Sequence, residues 1–462
     1  MEKSEKIPLN VLLAVIATGL MSFCGVIVET SMNISFPTLM KEFNVTTSTV
    51  QWMTTIYLLV VAIIVPLSSF FKKNYSTKVL FIIANLFFIA GVLVDALAPI
   101  FPILLLGRVI QGVGTGIALP LMFNIILENV PESKIGLMMG IGTLITAVAP
   151  AIGPTFGGLV VSAWGWRYIF IILLPILIIS FFLGIKNIQQ KSQIQKSKFD
   201  LLSLILLMLT FGGLIFGFSN MSNFNLVTLL AFVVGLGGLS SFVIRSNKLS
   251  EPIINLHVLQ NHTFSAHVLS FFIFQILSLG FAFILPNYIQ LVNRNSATVA
   301  GLAVFPAGLI GAILAPLGGK VLDELGARKP ILFGVFFADL SLILFSIFSL
   351  HLSNNFIIFV YILYMFGMGL SFGNIMTNGL KYLSSDQQAD GNAILNTLQQ
   401  FAGATGTSIV SAIIALSQNN HALSTKVATA IGTQHAFIIL AILGVINFGI
   451  LFRAIPRVHH SK

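Results

Sequence analysis

The chain has 462 residues, of which 56% are hydrophobic and only 8% charged, with 24 Lys and Arg against 14 Asp and Glu. So apolar a composition, with a mean hydropathy of +0.98, excludes an ordinary water-soluble domain and reads as an all-α protein that crosses a membrane many times. The single cysteine, Cys24, excludes an intramolecular disulfide and a cysteine-based metal cage, and the net charge of +10 has to be judged by where the basic residues fall.

Charge-free apolar runs separated by short polar loops predict fourteen spans, at 10–35, 49–71, 79–98, 102–127, 136–162, 167–186, 199–219, 225–245, 264–287, 299–319, 330–350, 355–378, 393–416 and 434–453. The segment before the first run is short and charged, and the run is longer than a signal-peptide core and lacks a small-residue cleavage site, so it is expected to stay as a span. With the N-terminus cytoplasmic, nineteen of the 24 basic residues fall on the inner side, leaving Lys41, Arg108, Arg167, Arg294 and Lys426 elsewhere. An even number of spans then puts both termini in the cytoplasm, in the plasma membrane of a bacterium. The basic excess is thereby a topology signal, and nucleic acid is not expected as a partner.

Span one carries Glu29, the lone charge between Lys6 and Lys41. Span three carries Asp95 near its outer end. Span four carries Arg108, the lone charge between Ala96 and Leu127, with Gly112 and Gly116 at i+4 and i+8 on the same helical face. An ionised group at such depth costs several kcal/mol unless it faces a polar cavity or a partner, about 3 kcal/mol on insertion scales, so a functional role is expected of each. Counting the helical rise from the span ends puts Glu29 and Arg108 in the outer half, where desolvation favours the neutral acid and the guanidinium favours the carboxylate. Asp95 is the alternative partner for Arg108. Glu128, at the inner end of span four, is expected to be an interfacial charge near Lys134.

In span five, Ala149, Gly153 and Gly157 form a small-residue stripe with Pro150 and Pro154 beside it, which suits a tightly packed, bendable contact. Asp339 lies some nine residues into span eleven and is expected to face a central cavity, where it would attract a cation or carry a second proton. Asn33, Trp52, Tyr57, Gln275, Tyr288, Tyr361, Tyr364 and Asn374 are candidate cavity-lining residues, with interhelical hydrogen bonding as the alternative. His257, His262 and His267 are five apart, which matches no zinc spacing, and no phosphate-binding lysine loop occurs. No metal or other cofactor is expected.

A repeat divides the chain. Pro66-Leu67-Ser68-Ser69 after span two answers to Pro316-Leu317-Gly318-Gly319 after span ten, eight spans on rather than six. Two spans are therefore read as inserted between six-span halves, giving an N-terminal bundle at 1–190, inserted helices at 191–250 and a C-terminal bundle at 251–462. Paired halves imply a central site between two bundles that rock about it.

Taken together, Leu106-Gly107-Arg108-Val109-Ile110-Gln111-Gly112-Val113-Gly114, Ala149 to Gly158, Trp164 to Phe170 and Val28 to Pro37 resemble the major facilitator superfamily, specifically its fourteen-span drug/proton antiporters. The resemblance covers nearly the whole chain. It implies that Arg108 takes part in proton coupling, that Pro150, Gly153, Pro154 and Gly157 belong to an antiporter motif, and that Glu29 stands where aspartate is usual. Gly319 to Lys329 is similar to the cytoplasmic latch of that superfamily, with Gly319, Asp323 and Arg328 as its parts; the first-half loop departs from it, with Lys73 at the acidic position. The function implied is a monomeric proton-coupled exporter of small amphipathic, cationic compounds. A second reading keeps the fold and makes the cargo a specific lipid, metabolite or peptide; a third is a membrane sensor or an intramembrane enzyme.

Overall fold

The structure, a computed structural model, describes residues 7–190, 194, 199–384, 387–420 and 422–456. Every regular element among them is a helix. Fourteen long segments follow in order: α1 (Leu9–Phe43), α2 (Trp52–Ile64), α3 (Thr77–Leu97), α4 (Phe101–Asn129), α5 (Glu132–Ala163), α6 (Arg167–Asn187), α7 (Leu201–Ser219), α8 (Leu226–Ser246), α9 (His262–Leu291), α10 (Ala297–Leu325), α11 (Arg328–Phe348), α12 (Asn354–Leu380), α13 (Gln388–Gln418) and α14 (Thr425–Ala454). Thirteen are long and apolar enough to cross a membrane by length and composition, α2 counting with its flanking turns; α5 has an apolar stretch of Val148–Ala163 within 32 helical residues. Several basic residues and acids counted above, including Lys191, Lys196, Lys198, Asp386 and Arg457, lie outside the described residues.

Polar caps set where many of these helices begin. Ser76, Asp200, Asn225, Asn261, Ser296, Ser353 and Ser424 each accept a hydrogen bond from a backbone N–H in the first turn, satisfying a donor that the helix itself leaves open. Pro66 breaks the second span into α2, a 3-10 turn at Val65–Leu67 and a short helix at Ser68–Asn74. The helices outrun the apolar runs at several ends. α1 continues through Lys41 and Glu42 to Phe43, and α14 starts at Thr425, nine residues before the predicted span.

Packing sorts the helices into groups. α1 to α6 pack among themselves, α9 to α14 pack among themselves, and α7 and α8 form a hairpin whose α7 rests on both α2 and α13. The two large groups meet chiefly through α5 on α10 and α2 on α13. Hydrogen bonds across these seams cluster at the end of the molecule away from the chain termini. Thr298 Oγ1 donates to the Gly158 carbonyl (3.2 Å), Thr155 Oγ1 to the Gly301 carbonyl (3.1 Å), Thr47 Oγ1 to Gln418 (2.7 Å) and Gln290 Nε2 to the Ile34 carbonyl (2.9 Å). At the opposite end, the described tie is the exposed Lys73–Glu251 pair at 3.4 Å, and Gly319 has open space where a side chain would stand.

A hydroxyl of the hairpin joins this seam. Ser219, at the end of α7, accepts from Gln51 Nε2 (3.0 Å) and donates to Ser408 (2.9 Å), so that it touches both groups at once. Phe211 of α7 stacks on Phe401 of α13 at 4.5 Å, and Trp52 meets Phe216 at 6.2 Å. At the other end of the hairpin, Arg245 donates to both oxygens of Asp200, and these hydrogen bonds hold that carboxyl well below the usual range, at about 2.

Candidate functional site

Arg108 is fully buried, as the sequence requires of a helix with α1, α2 and α3 packed around it. Its guanidinium is held on three sides. Nε donates to the Met53 carbonyl (2.9 Å), Nη1 donates to Gln111 Oε1 one turn along α4, and the carbon lies 4.1 Å from the centre of the Tyr57 ring. Nη2 has no partner, and neither has Gln111 Nε2. The arginine is therefore aimed without a contact partner: among the described residues it forms no direct ion pair with any acid.

Glu29 stands on the same side. Gly25, Glu29 and Asn33 recur at i, i+4 and i+8 on α1, and the flanking two are both bound by α2: the Tyr57 hydroxyl lies 3.2 Å from the Gly25 carbonyl, and Thr54 Oγ1 donates to Asn33 Oδ1 at 2.8 Å. Tyr57 also meets Thr115 of α4 at 3.0 Å. One phenol thus spans α1, α2 and α4 and carries Arg108 on its face. The Glu29 carboxyl makes no hydrogen bond or direct ion pair, yet it interacts electrostatically with Arg108. It is half-buried in the middle of a helix that packs on neighbours all round, so its open part faces the interior of the molecule.

Asp95 approaches Arg108 from the opposite side. It is fully buried near the end of α3, neither carboxyl oxygen has a partner, and it lies so close to Gly107 of α4 that a side chain there would collide with it. Arg108 interacts with Asp95, Tyr57 and Glu29 together. Both acids named as alternatives for the arginine are therefore within its field, and it contacts neither.

The remaining candidates separate from this cluster. Asp339 does not face the space between the groups, as expected of it. It is buried in the C-terminal group against Gly444 of α14, with one oxygen unpartnered and Tyr364 nearby. Depth along a helix was readable; the side of α11 on which the residue falls was not. Tyr364 is itself fully buried against Phe281 at 4.2 Å and stacked with the half-buried Tyr361. Tyr288 is a structural tie, since its hydroxyl donates to the Ser349 carbonyl (2.8 Å) and accepts from the Leu352 N–H (3.2 Å). Asn374 likewise spends its amide on the Gly318 and Leu370 carbonyls, at 2.8 Å each. Gln275 is buried and lies near Gly403 of α13; Trp52 faces α7. Glu128 pairs with Lys72 at 2.8 Å rather than with Lys134.

The glycines of the small-residue faces of α4 and α5 make close contacts. A side chain at Gly112 would meet Val60 at 2.8 Å, one at Gly153 would strike Thr30, and one at Gly157 would meet the Ser31 backbone at 2.6 Å; Ser31 also donates to the Gly153 carbonyl at 2.8 Å. Pro154 backs directly onto Gly301 of α10, whereas Pro150 is exposed. The latch reading of α10 is not realised here. Asp323 is exposed and has no ion pair among the described residues, and Arg328 instead donates to the Phe452 and Ile455 carbonyls and lies over the Phe452 ring, capping α14. Sequence reasoning passed over Gln111, Thr115 and Ser219, which are uncharged; the i+3 spacing of Gln111 from Arg108 was the available signal.

Comparison with known proteins bears on what this arrangement belongs to. The chain is 37% identical over 458 residues, 96% of this chain and 95% of the other, to the lincomycin resistance protein LmrB of Bacillus subtilis (strain 168). It is 27% identical over 409 residues, 87% of this chain and 75% of the other, to a multidrug resistance protein B homolog of Mycobacterium tuberculosis (strain ATCC 25618 / H37Rv). Its fold matches a bacterial homolog to the human lysosomal transporter Spinster, in an inward-facing and unoccupied conformation, with a TM-score of 0.72 over 97% of this chain and 98% of that one at 13% identity. A D-xylose–proton symporter matches at 0.69 and 12% identity over 98% of both chains. The Major Facilitator Superfamily model matches residues 18–407. With that match over most of its length, and a relative above 30% identity over nearly all of it, the chain belongs to the Major Facilitator Superfamily and is a multi-pass membrane transport protein, not an enzyme.

Proposed function

We propose that the protein is a proton-coupled antiporter that exports amphipathic, cationic compounds from a bacterial cell by alternating access, as a monomer with both termini cytoplasmic. The observation that carries this reading is Glu29: a carboxyl without hydrogen bond or contact ion pair among the described residues, facing the interior, beside a buried arginine that touches no acid. Such an acid accepts a proton, the arginine or a substrate cation, and each excludes the others. Exchange follows from that competition. Similarity to a lincomycin resistance protein and to a multidrug resistance protein homolog supports drug efflux and makes lincomycin the first cargo to try.

We further take 1–190, 191–250 and 251–462 as N-terminal bundle, inserted hairpin and C-terminal bundle. On this orientation the clustered seam hydrogen bonds close the outer end and leave the cytoplasmic end as the one that opens. In inverted membrane vesicles, an imposed pH gradient should drive uptake of lincomycin and of ethidium. Glu29→Gln should lower that uptake at least tenfold at equal protein level; wild-type uptake by the variant would remove Glu29 from the site. If neither compound nor any cationic dye dissipates the gradient while one lipid or peptide does, the cargo is that compound.

A further inference from the structure

We infer that Asp95 is the carboxyl that takes the coupling proton from the outer side, and that its protonation hands Arg108 to Glu29 so that the arginine itself displaces a cationic substrate. This rests on the antiport reading above and assigns its missing step.

Three observations carry it. The first is the order of the groups. Asp95 lies two residues from the end of α3, Arg108 seven residues into α4 from the same end of the molecule, and Glu29 fourteen residues before the end of α1. At the helical rise these are depths of about 3, 10 and 21 Å, so the arginine stands between the two acids. The second is what Asp95 lacks. It is fully buried with both oxygens unpartnered, and it sits at the carbonyl end of its helix, where a negative charge is least welcome. The third is that Arg108 keeps that one donor uncommitted while Met53, Gln111 and Tyr57 hold the rest of it. It is fixed as a pivot with one free arm.

The groups facing Asp95 are few. α3 packs on α4 and α6. From α4 come Arg108 and the neutral Gln111, with Tyr57 of α2 and Glu29 of α1 behind them. From the near end of α6 come Tyr168, which is exposed, and Arg167, whose guanidinium is already held by Glu42 (2.7 Å) and the Ala98 carbonyl (2.9 Å); Lys186 is at the far end of that helix.

The cycle balances with one proton for one monovalent cation. With the outer end open, a proton from outside adds to the Asp95 carboxylate and breaks its pairing with Arg108. The arginine turns to Glu29, and the substrate cation leaves outward. With the inner end open, the Asp95 proton is released to the inner side. Asp95, now ionised, takes Arg108 back, and Glu29 is free for the next cation.

The test is equilibrium binding of ethidium to the purified full-length protein in nanodiscs, between pH 6 and 8. Wild-type affinity should fall as the pH falls. Asp95→Asn, which mimics the protonated acid, should bind at least tenfold more weakly than wild type at pH 8 and show no pH dependence. Adding Arg108→Gln to Asp95→Asn should restore affinity to within threefold, because the competing cation is gone. Wild-type pH dependence in Asp95→Asn, or a double variant that binds no better than the single one, would overturn the inference. Should Asp95→Asn not fold, infrared spectra in an Asp339→Asn background decide: the carbonyl band of a buried carboxylic acid at pH 6 should persist when Glu29→Gln is added, and its loss there would assign the proton to Glu29 instead. Loss of ethidium transport in Glu29→Gln with either of these contrary results would leave the antiport reading standing and remove only the role of Asp95.

Discussion

A fully buried guanidinium with no counter-ion in contact among the described residues is a costly group, and its surroundings explain why it is tolerated. The Met53 carbonyl, the Gln111 amide and the Tyr57 ring replace part of its hydration with fixed dipoles, and two carboxyls lie within its field. This geometry needs a planar fork. Arg108→Lys keeps the charge but cannot satisfy Met53 and Gln111 together, so gradient-driven uptake in vesicles should drop more than tenfold while the protein still assembles; near-wild-type uptake would show that charge alone suffices. Tyr57→Phe removes the link between the Gly25 carbonyl and Thr115 while leaving the ring under the arginine, so a loss of only a few-fold is expected, read as a KM and kcat change in the same assay. Glu29, Asp95 and Arg108 were legible in the sequence because a lone charge in a long apolar run stands out. Asp339 was equally visible but misdirected, and Tyr288 and Asn374 looked like cavity residues, because depth along a helix says nothing about which neighbour a side chain meets.

Among the elements, the contact of α5 with α1 and α10 is the tightest constraint on movement. Gly157 lies against the Ser31 backbone, and Gly301 lies against Pro154. Gly157→Val should therefore force these helices apart, at a cost of about 1–3 kcal/mol for overpacking, seen as a fall of several degrees in Tm in detergent. The small-residue stripe that sets this contact was readable from spacing. The extra helical turns of α1 and α14 were not, since polar residues beyond the apolar run continue a helix as readily as they end one. At the base of the hairpin, Asp200 is held at about 2 by Arg245, against an ordinary value near 4. Its contribution to stability is thus present above about pH 4 and is lost as the pH falls toward 2. The Tm difference between wild type and Arg245→Ala should stay constant from pH 8 to 5 and shrink below 4; a difference that grows on acidification would contradict the assignment.

At the scale of the whole molecule, the seam hydrogen bonds predict where the two groups can be locked. Thr298 N–H lies 3.1 Å from the Ser162 hydroxyl, so cysteines at Ser162 and Thr298 should cross-link readily and stop transport, with reduction restoring it. The single native cysteine, Cys24, is buried, which leaves the background of such an experiment low. The fourteen-span plan and the extra pair were legible because hydrophobic length and a displaced repeat need no three-dimensional knowledge. How the pair docks was hidden, because it depends on hydroxyls and amides such as Ser219, Gln51 and Ser408 that carry no charge to mark them.

That docking makes the flanks of the transporter unequal. A symmetrical pair of groups would offer the surrounding lipid two matching flanks, one along each seam. With α7 lying over α2 and α13, one flank is walled off, and the seam of α5 and α10 is left without such a cover. The surrounding lipid thus meets the seam of α5 and α10 directly and the seam of α2 and α13 only across α7.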